Sequence, residues 1–322
     1  MKKYRNILGC LAALCLLGGC SPSPTAIVVG KNKVDAAELA FYLEYNRLNL
    51  QSQDGSAEEE DADPSLEEAK EAALEQIVTA EIVRQQCGKL GLELSKEEKE
   101  ELEQNKDELI EAQGGTAGYL KSLRQSAMAD RVYDKFQENT LYYDKLYDYM
   151  VGEGGEYSFS DVDLRQFFSE NYATVQYIRL GFSSAPERGM DRAQTILEQA
   201  QVPGADFAQM VALYNDDPYM TENIQGIVMT ASQCENSPQF ETVFDLEEGE
   251  ITGVLVGTDG YYIVKRLPLA VTYYDDNQEA ILQEARDVQF NELLEEWTEE
   301  ASVRTTDIYK KMDFDNLWDY VE

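Results

Sequence analysis

Apolar residues at 26–29 and at 34 flank a polar turn over 30–32, so the stretch AIVVGKNKV (26–34) predicts two short strands. Asp35 then stands as the N-cap of an apolar-aromatic helix running to about Leu50. Periodicity is lost over 51–64, where Asp54, Glu58, Glu59, Glu60, Asp61 and Asp63 occur without a basic residue and Pro64 closes the segment. That is the pattern of a solvated loop; the DxDxDG spacing of a calcium loop is missing. Two helix starts follow at capping-box spacing, Ser65-x-x-Glu68 and Ser95-x-x-Glu98, in which the serine oxygen and the glutamate carboxylate satisfy free amides reciprocally. The first helix buries Leu74, Ile77, Val78 and Ile82; the second is mostly charged and stops after Gln113 at Gly114-Gly115. A long segment over about 117–150 carries Tyr133, Phe136, Tyr142, Tyr143, Tyr147 and Tyr149. Helical core packing accounts for most of these. The functional alternative is a tyrosine-lined cradle for unfolded peptide, since tyrosine joins apolar area to a polar edge.

Gly152-Glu153-Gly154-Gly155 breaks that pattern, Ser160-x-x-Asp163 starts another helix ending near Tyr172, and a domain boundary is expected here. The period then becomes mixed. A strand over 173–182 is followed by helices at 188–201 and 206–214, an irregular stretch to about 236, a short helix near 238–244, and strands near 251–256 and 261–266. Pro268 closes a compact α+β region of roughly 95 residues. Helical spacing returns over 277–300 with Ile281, Ala285, Val288, Leu294 and Trp297, and a β-like VRTTD (303–307) precedes an amphipathic tail.

Composition narrows the chemistry. The 322 residues include 62 Asp+Glu against 27 Lys+Arg and no histidine. Without imidazole there is no Ser-His-Asp or Cys-His nucleophile, no HExxH zinc site and no histidine proton relay. Nothing in the pattern asks for a cofactor or a metal. A net charge of −35 argues against nucleic acid as a partner, because that affinity comes from Lys and Arg displacing counterions. The length suggests about two domains, and 43% hydrophobic residues suffice for packed cores.

The first residues address the chain. Lys2, Lys3 and Arg5 precede an apolar run over 7–17 that is too short to span a bilayer and reads as a secretory signal. It ends in Leu17-Gly18-Gly19-Cys20, which resembles the bacterial lipobox: small residues admit the signal peptidase and the Cys20 thiol accepts the diacylglyceryl group. The expected parts are a signal peptide at 1–19 and a tether at 20–25, with the body held outside the cytoplasmic membrane. Cys10 and Cys15 leave with the signal, so Cys87 and Cys234 remain; buried free thiols are the default, and two lone residues do not establish a disulfide.

Three blocks within 173–268 carry a resemblance: GADFAQMVALYNDD (204–217), SPQFETVFDLEEGEITGVLV (237–256) and GYYIVKRLP (260–268). In this order they resemble the parvulin-type peptidyl-prolyl isomerases. Together with the flanking helices and the lipobox, the whole resembles the PrsA/SurA-type extracytoplasmic foldases. The fold class this implies is α+β: a mainly helical SurA-N-like chaperone domain built from 26–170 and 270–322, with a parvulin-like antiparallel-sheet and helix domain inserted over 172–269. Implied partners are unfolded or partly folded secreted polypeptides and, through the lipid anchor, the membrane; the oligomeric state is open, a dimer included. The resemblance places the aromatic of the proline slot at Phe240, a neighbouring substrate position at Asn236, with Phe244 beside them, and the Cys/Asp position at Asp217. The two facing histidines fall on Tyr177 and Tyr262, and the usual glycine-rich turn is reduced to Ile224-Gln225-Gly226. The implied activity is therefore foldase or chaperone action, with isomerisation at a degenerate site left open. The alternative from another class is a non-catalytic structural or peptide-docking lipoprotein. A solute-binding lipoprotein would need two α/β lobes that the pattern lacks.

Overall fold

The computed structural model describes residues 23–53, 65–182 and 186–321. Cys20 and the acidic residues 54–64 lie outside them. In chain order the elements are β1 (Thr25–Val29), β2 (Asn32–Asp35), α1 (Ala36–Gln53), α2 (Leu66–Leu90), α3 (Lys96–Ala112), α4 (Thr116–Gln125), α5 (Asp130–Val151) and α6 (Asp161–Asn171). Then come β3 (Tyr172–Gly181), α7 (Pro186–Ala200), α8 (Phe207–Tyr214), α9 (Pro218–Glu222), β4 (Ile227–Thr230), α10 (Ala231–Glu235), β5 (Leu255–Val256) and β6 (Gly260–Leu267). The chain ends with α11 (Val271–Glu299), β7 (Val303–Thr305) and α12 (Asp307–Lys311). The fold is α+β, with helices predominating and two small antiparallel sheets.

Two compact units emerge, one from the described residues up to Leu146 and from Leu293 onward, the other Tyr147–Glu292. In the first unit, β1 is the centre of a three-stranded sheet, paired with β2 on one side and with β7 on the other through Ile27↔Thr305 and Val29↔Val303. The last residues of the chain thus complete a sheet begun by the first described strand. Ile27, Leu39, Leu43, Ile77, Met312 and Leu317 share its core. In the second unit the sheet order is β4-β3-β6-β5, and α7 and α8 cover it over a core that includes Val175, Ile178, Ile196, Phe207 and Ile263. Residues on either side of that sheet region belong to the same unit: Leu164 and Phe168 of α6 pack with Tyr172, Tyr274, Ile281 and Ala285 in a separate small core.

Local chemistry explains most element ends. Asp35 Oδ1 accepts from the amides of Ala37 and Glu38, fixing the start of α1. Ser95 and Glu98 form a full capping box, as do Ser160 and Asp163. The box expected at Ser65 is only half made. Its hydroxyl accepts from the Glu68 amide, whereas no return bond from the Glu68 carboxylate to the Ser65 amide forms beside its backbone at φ −56° and ψ 122°.

Other expectations are corrected. The segment 117–150 is not one helix, because Ala127 at φ 49° and buried turns the chain between α4 and α5, with the Met128 amide bonding back to Leu123 O. The stretch to 236 holds two short helices and β4, where Tyr172↔Thr230 and Val175↔Ile227 pair with β3. The last long helix begins at Val271 rather than 277 and is interrupted at Asn277 (φ −129°, ψ 20°).

Candidate functional site

The isomerase-like positions gather on β3 and β6 of the second unit. Antiparallel pairing sets Tyr177 opposite Val264 and Arg179 opposite Tyr262, so both tyrosines enter the same core. Their rings lie 5.8 Å apart and form a triangle with Phe240, whose centroid is 5.3 Å from Tyr177 and 5.9 Å from Tyr262. All three side chains are buried. The hydroxyls diverge to separate carboxylates. Tyr177 donates to Asp217 Oδ2 at 2.5 Å, while Asp217 Oδ1 also accepts from the Tyr219 amide and so caps α9. Tyr262 donates to Asp259 Oδ1 at 2.7 Å, and Asp259 Oδ2 meets Arg179 Nη2 at 2.7 Å. The two phenols therefore do not bond to one another; each is tied to its own acid.

Burial, reinforced by those carboxylates, pushes both phenols well above the usual tyrosine range. Both stay protonated through the physiological range and serve as donors, not bases. Asp259 is held below the usual carboxylate range by the Tyr262 hydrogen bond and then by Arg179, against a smaller desolvation cost. Asn236 ends α10, exposed, with Nδ2 donating to Ser232 O. Phe244 packs on the same core from another side, with the Arg266 guanidinium 5.6 Å from its ring while Arg266 also donates to Phe244 O and Leu246 O. The structure thus brings together Tyr177, Asp217, Tyr262 and Phe240. Asn236 and Phe244 take their hydrogen bonds and cation contact elsewhere. The shortened turn keeps Gly226 for a physical reason: at φ 108°, a Cβ there would stand 2.8 Å from Leu267 Cδ1 and 3.0 Å from Thr174 Cγ2.

The first unit carries a second feature. Ala72, Thr79, Ala80 and Val83 recur on one face of α2, and Phe136, Thr140 and Tyr143 recur on one face of α5; with Tyr42 of α1 they line an open groove of about 500 Å³. From α2 the lining is completed by Glu75 and Gln76, and its aromatic rings come from α1 and α5. Phe136 and Tyr143 are each 38% exposed, and Phe136 is braced edge-on by Phe41 at 5.6 Å. Tyr42 is buried; burial and then the nearby Glu38 charge push its hydroxyl up to about 12. Glu38 and Glu81 are buried and share Lys135 Nζ at 2.7 and 2.6 Å, and Asn32 donates to the other Glu81 oxygen. Burial raises the Glu38 pKa although Lys135 opposes it. Burial alone would lower Lys135, but the two carboxylates outweigh it and its pKa rises.

The aromatic series read from the sequence therefore divides. Phe136 and Tyr143 face the groove, Tyr133 packs edge-on against Tyr119, and Tyr142 lies under Arg84 at 4.8 Å. Tyr147 belongs to the second unit, against Phe290 and Asp287, and Tyr149 is exposed. Sequence reasoning missed Tyr42 and the groove-lining face of α2. The signal was there: Ala72, Glu75, Gln76, Thr79, Ala80 and Val83 sit at helical spacing, with no aromatic or leucine-sized apolar residue among them.

Residues 11–118 match the family model of the SurA-like N-terminal domain. The groove-lining residues of α1 and α2 lie inside that match. No curated protein matches the chain in sequence. Among solved structures, the foldase protein PrsA from Streptococcus pneumoniae is 21% identical, with 78% of this chain and 88% of that one covered and a TM-score of 0.31. The peptidylprolyl isomerase PrsA from Bacillus anthracis is 14% identical over 70% of this chain and 96% of that one, with a TM-score of 0.38. A structure from a study of two SurA-like chaperones of Campylobacter jejuni is 12% identical over 88% and 99%, at a TM-score of 0.32. Both Cys87 and Cys234 are buried and free. Among the described residues, no helix is long and apolar enough to cross a membrane.

Proposed function

We propose that this chain is an extracytoplasmic foldase, anchored through Cys20, that holds unfolded or partly folded secreted polypeptides in the groove of its first unit. The observation that carries the reading is the groove itself: an apolar trough walled by partly exposed aromatic rings, inside a unit whose sequence is SurA-like. Partly exposed rings gathered along one trough leave contiguous apolar area for a bound segment to cover. Segments of unfolded protein have the matching chemistry, with apolar side chains to bury and a backbone to hydrogen-bond.

The second unit serves this role as a docking module rather than a catalyst. Turnover of an X-Pro bond needs an apolar slot open to the pyrrolidine ring and a setting that favours the twisted amide. Here Phe240 is covered by Tyr177 and Tyr262, and the phenols that could touch substrate are committed to Asp217 and Asp259.

An aggregation-suppression assay with a reduced, unfolded client, run beside a protease-coupled X-Pro peptide assay, tests the reading. Suppression with isomerisation at background is expected. Silence in both assays defeats the foldase reading and leaves a docking lipoprotein. Anchoring is checked separately: Cys20→Ala should move the protein from the membrane fraction to the soluble one.

A further inference from the structure

We infer that the groove of the first unit selects apolar-aromatic client segments flanked by lysine or arginine. The inference rests on the chaperone reading above and concerns which polypeptides that site prefers. It comes from the charge around the trough. Among the residues lining it, Glu75 is the one that carries a charge, and no lysine or arginine lines it. Glu75 and Glu71, one helical turn apart on α2, are both exposed, and neither forms an ion pair among the described residues.

Three cations of α2 and α5 are engaged by other groups. Lys135 is held between Glu38 and Glu81. Arg84 donates to Glu138 and to Asn139 Oδ1 and covers the Tyr142 ring. Lys70 is buried, donating to Lys310 O. Like charges at i and i+4 disfavour a helix, so the pair on α2 costs stability that a cationic ligand would return. A largely apolar lining takes a client's apolar side chains, and an acidic lip takes the basic residues beside them.

The test uses the full chain and three fluorescein-labelled peptides with one shared Leu/Phe/Trp core, flanked by lysines, by serines or by glutamates, with anisotropy read at low and high salt. The lysine-flanked peptide should bind about tenfold more tightly than the glutamate-flanked one at low salt, and the advantage should shrink as ions screen the lip. Because the whole molecule is acidic, the decisive comparison is between E71Q/E75Q and the control E101Q/E103Q on α3, which changes the net charge equally. The first should reduce the lysine preference about threefold or more and leave the serine-flanked peptide unchanged; the second should leave the preference intact. Equal affinity for all three peptides, or an equal loss in both double variants, overturns the inference. Absence of binding by any peptide instead defeats the chaperone reading on which it stands.

Discussion

Phe136→Ala probes the groove wall directly. An aromatic side chain buries about 150–250 Å² when fully covered. With Phe136 38% exposed, about 75 Å² is left for a client to cover, worth about 2 kcal/mol at about 25 cal/mol per Å². Losing it should raise the client Kd by about 25-fold. The same truncation removes the edge contact with Phe41, so it also costs stability. Phe136→Leu separates the two effects: it keeps most of the apolar area, and its Kd should stay within about threefold of the parent. Anisotropy titration of a labelled unfolded client gives the affinities, with folded fractions checked by circular dichroism and urea melts. A Phe136→Ala protein that is fully folded and binds within twofold of the parent would refute the reasoning.

Lys135→Met strands Glu38 and Glu81 in the core and should cost about 3–5 kcal/mol at neutral pH. The folded pKa of Glu38 lies above its ordinary value, so its contribution is present below the usual glutamate range and is lost as pH rises through the folded value. The deficit of the variant should accordingly shrink on moving from pH 7 toward pH 5 in urea melts; a deficit independent of pH would contradict the arrangement. Lys135, whose folded pKa is raised, keeps its stabilising effect until pH climbs above the usual lysine range, so the parent protein should lose it only at alkaline pH. Tyr177→Phe removes a hydrogen bond to a charged acceptor and should destabilise the second unit by about 1–3 kcal/mol, while leaving X-Pro isomerisation at background. Cys87 and Cys234 are buried, and burial pushes the Cys234 thiol up to about 11; in protein lacking residues 1–20, Ellman's reagent at pH 8 should label neither until denaturant is added, and rapid labelling of the native protein would contradict this.

Much of the fold could be read from residues that act locally. Asp35, Ser95 and Ser160 mark helix starts through hydrogen bonds that reach only two or three residues, and Gly114-Gly115 marks a stop by adopting positive φ. What escaped was set by tertiary contacts. The break at Ala127 has no glycine or proline to announce it; it is held because the residue is buried in the core. Strand β4 is four residues long, half-buried and defined by its pairing to β3, so no alternation could reveal it. The resemblance singled out Tyr177, Asp217, Tyr262 and Phe240, which the fold gathers, but not how the two phenol hydroxyls are paired. Nothing in the spacing of Tyr177 and Tyr262 says that each phenol turns to a different carboxylate, since Asp217 and Asp259 are brought up by separate loops. The groove shows the same limit: its α5 aromatics were visible as a helical series, whereas its α2 side mixes alanine, threonine and valine with Glu75 and Gln76 and carries no aromatic to announce it.

Clients are expected to occupy the trough between α2 and α5. A photo-crosslinking amino acid at Thr140, an exposed groove residue of α5, tests it against the same group at Gln104 on α3 of the same unit. With a reduced, unfolded client, strong crosslinking from position 140 and little from position 104 is the predicted result. Equal labelling from both, or labelling from 104 alone, would contradict the account.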